Sequence, residues 1–146
     1  MDKLELARQA AEVMWAEDNA SKWLGMRVEE VRPGYARLSM TVTGNMVNGH
    51  QLCHGGLIFT LADSTFAFAC NSHNQRAVAA GCSIEFLAPA FFGDTLTAEG
   101  VEQTLRGRNG IYDMKVVNQK GETIALFRGK SATIKGTLVP AEDGAI

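Results

Sequence analysis

Leu4, Ala7, Ala11, Met14 and Trp15 recur at helical spacing, with Asp2, Glu5, Arg8, Glu12 and Glu17 between them, which predicts an amphipathic N-terminal helix within residues 1–25. From Tyr35 to Val42 the side chains alternate as a strand's do, after the turn-forming pair Pro33-Gly34. A loop rich in Gly and Asn follows. Between Gly55 and about Asn71, the residues Leu57, Ile58, Leu61, Phe66, Phe68 and Cys70 leave almost no polar side, and no Pro intervenes. The spacing predicts a helix of roughly 25 Å, apolar enough to be buried all round. Beyond it the period falls to two. Ala77–Phe86, Asp94–Leu105, Ile111–Asn118 and Thr123–Ile134 read as long strands, punctuated by Pro89 with Gly93-Asp94, by Arg108-Asn109-Gly110 and by Asn118-Gln119-Lys120-Gly121. Connections this short make the strands antiparallel neighbours. One long helix followed by such a meander predicts an α+β fold, an antiparallel sheet wrapped around a central helix. That sheet would have open edges, and dimerisation through one of them would cover it.

Composition narrows the class of protein without naming a chemistry. A chain of 146 residues is the size of one domain, and 46% apolar with 21% charged residues is ordinary globular usage. The 14 basic and 16 acidic residues leave a formal charge of −2, which offers no broad basic footprint for nucleic acid. Cys53, Cys70 and Cys82 form neither an even set nor a CxxC pair, which argues against a disulfide framework or zinc ribbon and for a reducing compartment. Charges run through the N-terminal segment, and no stretch approaches the roughly 18 charge-free apolar residues of a membrane span. A cytoplasmic protein is expected.

The candidate chemistry lies in NGHQLCHGGLIFTLADSTFAFAC, residues 48–70, where one carboxylate, Asp63, interrupts an apolar helix. A buried charge is unfavourable unless it is hydrogen-bonded or paired, so Asp63 either turns to solvent, Thr60 or Ser64, or does chemistry. It lies eight residues after Gly55, a little over two helical turns. The helix N-terminus offers unpaired backbone N–H groups and a positive dipole end, and Gly55 with Gly56 lets a ligand approach the backbone. Donors near a buried acid are the skeleton of an acyl-transfer site. Burial among Phe59, Phe66 and Phe68 would push the Asp63 pKa up, whereas the dipole and nearby donors would pull it down. His50, Cys53, His54 and His73 have no standard zinc spacing, and nothing marks Cys53 as a thiolate nucleophile.

Asn48, His54-Gly55-Gly56, Leu61-Ala62-Asp63, Glu85-Phe86-Leu87-Ala88-Pro89-Ala90 and Gly93-Asp94-Thr95-Leu96 together resemble the hotdog-fold acyl-CoA thioesterases. Within them, VNGHQLCHGG, ACNSHN and VVNQKGETIALFRGKS are similar to the phenylacetate-degradation (PaaI-type) branch, from about Met14 to Ile134. The resemblance implies hydrolysis of phenylacetyl-CoA or hydroxyphenylacetyl-CoA to the acid and free CoA, without a cofactor or metal. It implies that Asp63 is the base or nucleophile and that the Gly55 N–H, beside Gly56, polarises the thioester carbonyl. Asn48 would place water or substrate, and His54 would shape the carbonyl-binding turn. It also implies a site at a homodimer interface, with dimers pairing into tetramers. Many relatives carry Arg before the Pro of the FLxPA segment, where this chain has Ala88. Arg106, Arg108, Arg128 and Lys130 are the alternative contacts for CoA phosphates, though for each a solvated strand-edge charge is the favoured reading. Two rival functions share the fold: a 3-hydroxyacyl dehydratase using His54 with Asp63, disfavoured by the Gly-Gly after His54 and the Asn48 spacing, and a non-catalytic acyl-CoA-binding module.

Overall fold

The computed structural model describes residues 1–140; positions 141–146 of the expected 1–146 domain lie outside the described residues. The N-terminal segment forms two helices, α1 (Lys3–Glu17) and α2 (Asn19–Trp23), where one was expected. Asp2 caps α1 by accepting the Glu5 N–H at 2.8 Å. The break comes at Asp18, whose carboxylate accepts both the backbone N–H and the hydroxyl of Ser21, at 2.9 and 2.7 Å. An aspartate that satisfies the free N–H groups of a following helix competes with continuation of the preceding one.

The strands are β1 (Arg27–Arg32), β2 (Tyr35–Thr41), β3 (Ala77–Phe86), β4 (Thr95–Arg106), β5 (Asn109–Val117) and β6 (Thr123–Thr133), with α3 (Gly55–Cys70) between β2 and β3. They form one antiparallel sheet in the order β1-β2-β4-β5-β6-β3. Two features depart from the sequence-based expectation. β1, Arg-Val-Glu-Glu-Val-Arg, offers two apolar residues, and its alternation is broken by a bulge between Val28 and Glu30, so it carries little strand signal. β3 is separated from β4 by a short connection yet pairs with β6, so the strands are not a simple meander. The connection runs instead past the start of α3: the Cys53 N–H donates to the Ala90 carbonyl at 2.8 Å, and Leu52 bridges Phe91.

α3 packs against the sheet and buries Ile58, Leu61, Ala62, Thr65, Phe66, Phe68 and Ala69, with the Phe68 ring 6.4 Å from that of Trp15 on α1. Phe66 lies with its ring centroid 5.7 Å from Tyr112 and 6.0 Å from Phe127. A Cβ at Gly129 would come within 2.7 Å of the Phe66 ring, so the missing side chain on β6 is what lets helix and sheet approach. The expectation of burial all round needs correction: Gly56, Thr60, Asp63 and Ala67, spaced four, three and four residues apart, form an open face of partly or fully exposed positions. Leu57, Phe59 and Ser64 are also half-buried. β3 forms one edge of the sheet, and every residue in it retains solvent exposure. No helix among the described residues is long and apolar enough to cross a membrane.

Candidate active site

The start of α3 is built by His54, the N-cap residue, which has extended backbone (φ −58°, ψ 130°). Its Nδ1 accepts the Gly56 N–H at 2.9 Å and its carbonyl accepts the Leu57 N–H at 2.9 Å. Of the first three helical donors, this leaves the Gly55 N–H without an acceptor among the described residues. Both glycines have a steric reason. A Cβ at Gly55 would meet the Phe86 ring at 3.1 Å, and one at Gly56 would meet His54 Nδ1 at 3.0 Å. Accepting a hydrogen bond at Nδ1 also places the proton of a neutral ring on Nε2, so His54 acts here as a cap. His54→Ala should therefore lower stability by about 0.5–2 kcal/mol, the usual loss for a removed N-cap, while His54→Asn should restore most of it, since asparagine caps well. Thermal melts of the two variants beside the parent measure both effects.

Asn48 is held by a tight loop. Its Oδ1 accepts the N–H groups of His50 at 2.9 Å and Leu52 at 3.2 Å, and its own N–H donates to the Leu52 carbonyl at 2.8 Å. Gln51 closes the loop with φ 66°, a left-handed conformation unusual for a residue with a Cβ. With Oδ1 occupied by the loop, the Asn48 Nδ2 amide stays without a partner among the described residues. Asn48, Leu52, Cys53, Gly55, Ile58 and the run Phe86, Leu87, Ala88, Pro89, Ala90 line a cleft of about 360 Å³. The unpaired Gly55 donor and Asn48 therefore share one concave site whose walls are otherwise apolar. A larger cleft, about 600 Å³, lies between α1 and β1 and is lined by Arg8, Trp15 and residues 26–31 among others, with none of the candidate residues.

Asp63 is half-buried on the open face of α3, and no hydrogen bond or ion pair reaches its carboxylate among the described residues. Burial pushes its pKa above the ordinary aspartate value, so of the two opposing influences on it desolvation wins. Burial, and after it the charge of Asp63, raises the thiol pKa of Cys82, a residue of the edge strand β3. Asp63 is about 12 Å along α3 from Gly55, and it is not among the residues that line the cleft. Donor and acid thus belong to one helix but do not share the cleft of this chain.

The four basic candidates are not brought to this cleft. Arg128 makes a two-pronged pair with Asp113 at 2.6 and 2.8 Å, which holds the Asp113 carboxyl below its usual range. Arg108 donates to the Thr133 carbonyl at 3.0 and 3.2 Å, and Arg106 faces Asn109 at the β4–β5 turn. Lys130 pairs opposite Gly81, five strand positions from Ala125, the partner of Phe86; that is about 17 Å. Two site residues escaped the sequence reading: Phe86, as the ring over Gly55, and Cys82, as the neighbour of Asp63. FLxPA marks Phe86 only as part of a motif, and the pairing of β3 beside α3 is a tertiary fact.

Residues 50–125 match the thioesterase superfamily. The chain is 49% identical over 132 residues to the acyl-coenzyme A thioesterase PaaI of Escherichia coli, covering 90% of this chain and 94% of that protein. The structure of the E. coli PaaI protein from the phenylacetic acid degradation operon superposes with a TM-score of 0.92 at 48% identity, over 93% of this chain and 99% of that one. An asparagine-to-aspartate mutant of the PaaI protein of Thermus thermophilus gives 0.77 at 33% identity, over 80% and 100%. A Streptococcus mutans protein bound to acetyl CoA gives 0.73 at 25% identity, over 77% and 90%. A sheet around a long helix, an unpaired donor at the HGG turn and an acid two turns on are thus set in a sequence close to PaaI, and the chain belongs to the thioesterase superfamily, as a hotdog-fold thioester hydrolase of the PaaI type.

Proposed function

We propose that the protein hydrolyses aryl-acetyl thioesters of coenzyme A, phenylacetyl-CoA and its ring-hydroxylated analogues, to the free acid and CoA. The observation that carries the reading is an unpaired Gly55 N–H in an apolar cleft together with a half-buried, unpartnered Asp63 of raised pKa on the same helix. The Gly55 donor binds the thioester oxygen and stabilises the negative charge that develops when water adds to the carbonyl carbon. Asp63 removes the proton from that water, or itself attacks first and is then released by water; the C–S bond breaks and the thiolate of CoA leaves with a proton. Asn48 Nδ2 orients the water or the carbonyl. Because Gly55 and Asp63 lie apart along the helix, the acid acts on a thioester held by the partner's Gly55, across an interface formed at the β3 edge. The working form is a homodimer, or two of them paired as a tetramer, in the cytoplasm. Aromatic residues near the helix support the acyl preference: half-buried Phe59 has its ring centroid 5.2 Å from Phe127.

Incubation of the purified protein with phenylacetyl-CoA, its hydroxylated analogues and palmitoyl-CoA in the presence of a thiol reagent tests the reading. Free CoA should appear fastest from the aryl-acetyl esters, and sedimentation should give an oligomer. A preference for palmitoyl-CoA would reject the acyl assignment. An active species sedimenting at the 15.8 kDa monomer mass would reject the shared site.

A further inference from the structure

The cleft of about 360 Å³ is lined by uncharged residues, yet the leaving group of the proposed reaction ends in an adenine ring and several phosphates. With the carbonyl on Gly55, the pantetheine arm has to leave by the cleft mouth, so the nucleotide meets whatever stands there. Two large rings do. Phe91, bridged to the cleft residue Leu52, is 51% exposed, and Phe92, whose ring approaches within 3.7 Å of a Cβ built on Gly44, is 67% exposed. Exposed aromatic rings on a segment that continues the cleft wall are a stacking surface for a base.

A cation lies on a turn bonded to the same segment. The Asp94 Oδ2 accepts the Phe91 N–H at 2.8 Å, and its Oδ1 accepts from Gln119 Nε2 at 2.9 Å. Gln119 Oε1 in turn accepts the Thr95 N–H at 3.0 Å. These bonds tie the β5–β6 turn, which carries Lys120, to the Phe91-Phe92 turn, and the bonds from Gln119 and Phe91, with the Lys120 charge after them, hold the Asp94 carboxyl low. The Asp94 carboxylate is already engaged by a backbone N–H and an amide, and Lys120 itself is exposed.

We infer that Phe91, Phe92 and Lys120 form the subsite for the nucleotide end of coenzyme A, with the adenine stacked on the exposed rings and a phosphate paired with Lys120. The inference rests on the acyl-CoA reading above. It accounts for recognition of an anionic leaving group by a chain with Ala88 on the cleft wall, and with Arg128 and Arg108 engaged elsewhere. Such a subsite acts on the CoA portion alone, so a substrate truncated at pantetheine does not feel it.

The test compares kcat/KM for phenylacetyl-CoA and for phenylacetyl-pantetheine in the parent, Phe92→Ala and Lys120→Gln, with melting temperature and sedimentation for each. Phe92→Ala should lower the ratio of the two values about tenfold, through KM for the CoA ester, as loss of one base stack does. Lys120→Gln should lower it several-fold and flatten the dependence of KM on ionic strength. A parent active on both esters, with a ratio that neither variant moves, would overturn the subsite and leave the thioesterase reading standing. Variants that dissociate the oligomer and lose both substrates alike would assign the rings to a subunit contact and also overturn it. A parent inactive on both esters would remove the thioesterase reading, and the subsite with it.

Discussion

Asp63→Asn is expected to lower turnover of phenylacetyl-CoA by roughly 10²–10⁴-fold, the range for loss of a general base, and by more if the carboxylate is a nucleophile. Folding should survive. The amide matches the acid in size and can hydrogen-bond, and no described residue bonds or pairs with the carboxylate in the native protein. The sign of the stability effect follows from the raised pKa. An acid whose pKa is higher in the folded than in the unfolded chain adds stability that is fully present below the unfolded value and is lost as pH rises through the folded one. At neutral pH the parent has lost it, so the asparagine variant should melt at the same temperature or higher, and the gap should narrow on acidification. The same raised pKa sets an acid limb: kcat/KM of the parent should fall with decreasing pH at a value above the ordinary aspartate range, because only the ionised form is a base or nucleophile. Rates, melts and the pH profile of parent and variant check all three. Near-normal turnover in a folded Asp63→Asn protein would make Asp63 a structural residue.

The second large effect is expected at Gly55, where a backbone donor is removable. Proline is tolerated at the first helical position, and His54 before it already has the extended backbone (φ −58°, ψ 130°) that a residue preceding proline adopts. The Gly55 N–H makes no internal bond among the described residues, so Gly55→Pro deletes the donor without breaking the helix ladder. Crowding is the confounding factor, because a Cβ there comes within 3.1 Å of the Phe86 ring, a side chain 52% exposed and able to shift. Gly55→Ala brings the same Cβ and keeps the N–H, so the ratio between the two variants isolates the donor. Gly55→Pro should turn over about 10²–10³-fold more slowly than Gly55→Ala, the usual loss of one oxyanion donor. Equal rates in the two variants would show that the thioester oxygen is bound elsewhere.

The candidate site was legible because its parts are local. Gly-Gly at the start of a helix and an acid two turns on are properties of one segment, 54–63, and their chemistry follows from the helix terminus itself. Phe86 over Gly55 was not legible, because it depends on how the 87–94 connection crosses the start of α3. The open face of α3 that carries Asp63 was not legible for a related reason. The apolar run 57–70 reads as buried all round, but the sheet covers one side of the helix and leaves the stripe Gly56, Thr60, Asp63 and Ala67 open. The basic candidates depended on cross-strand partners, and Arg128 found Asp113 through the β5–β6 register.

By itself, the sequence determined which segments are helix and which are strand from α3 onward, because period and turn residues act over a few neighbours: β3 spans the expected Ala77–Phe86, and α3 ends within a residue of the expected position. It also determined the short helix cap and donor at residues 54–56. The tertiary structure decided the order of the strands, since sending β3 to the far edge beside β6 depends on long-range pairing that a local pattern does not encode. It decided that weakly patterned β1 is a strand, because pairing with β2 outweighs its sparse apolar content. And it decided the state of Asp63: a carboxylate's pKa depends on which neighbours exclude water from it, and those neighbours come together when the sheet closes over one side of α3 and leaves the face that carries the acid open.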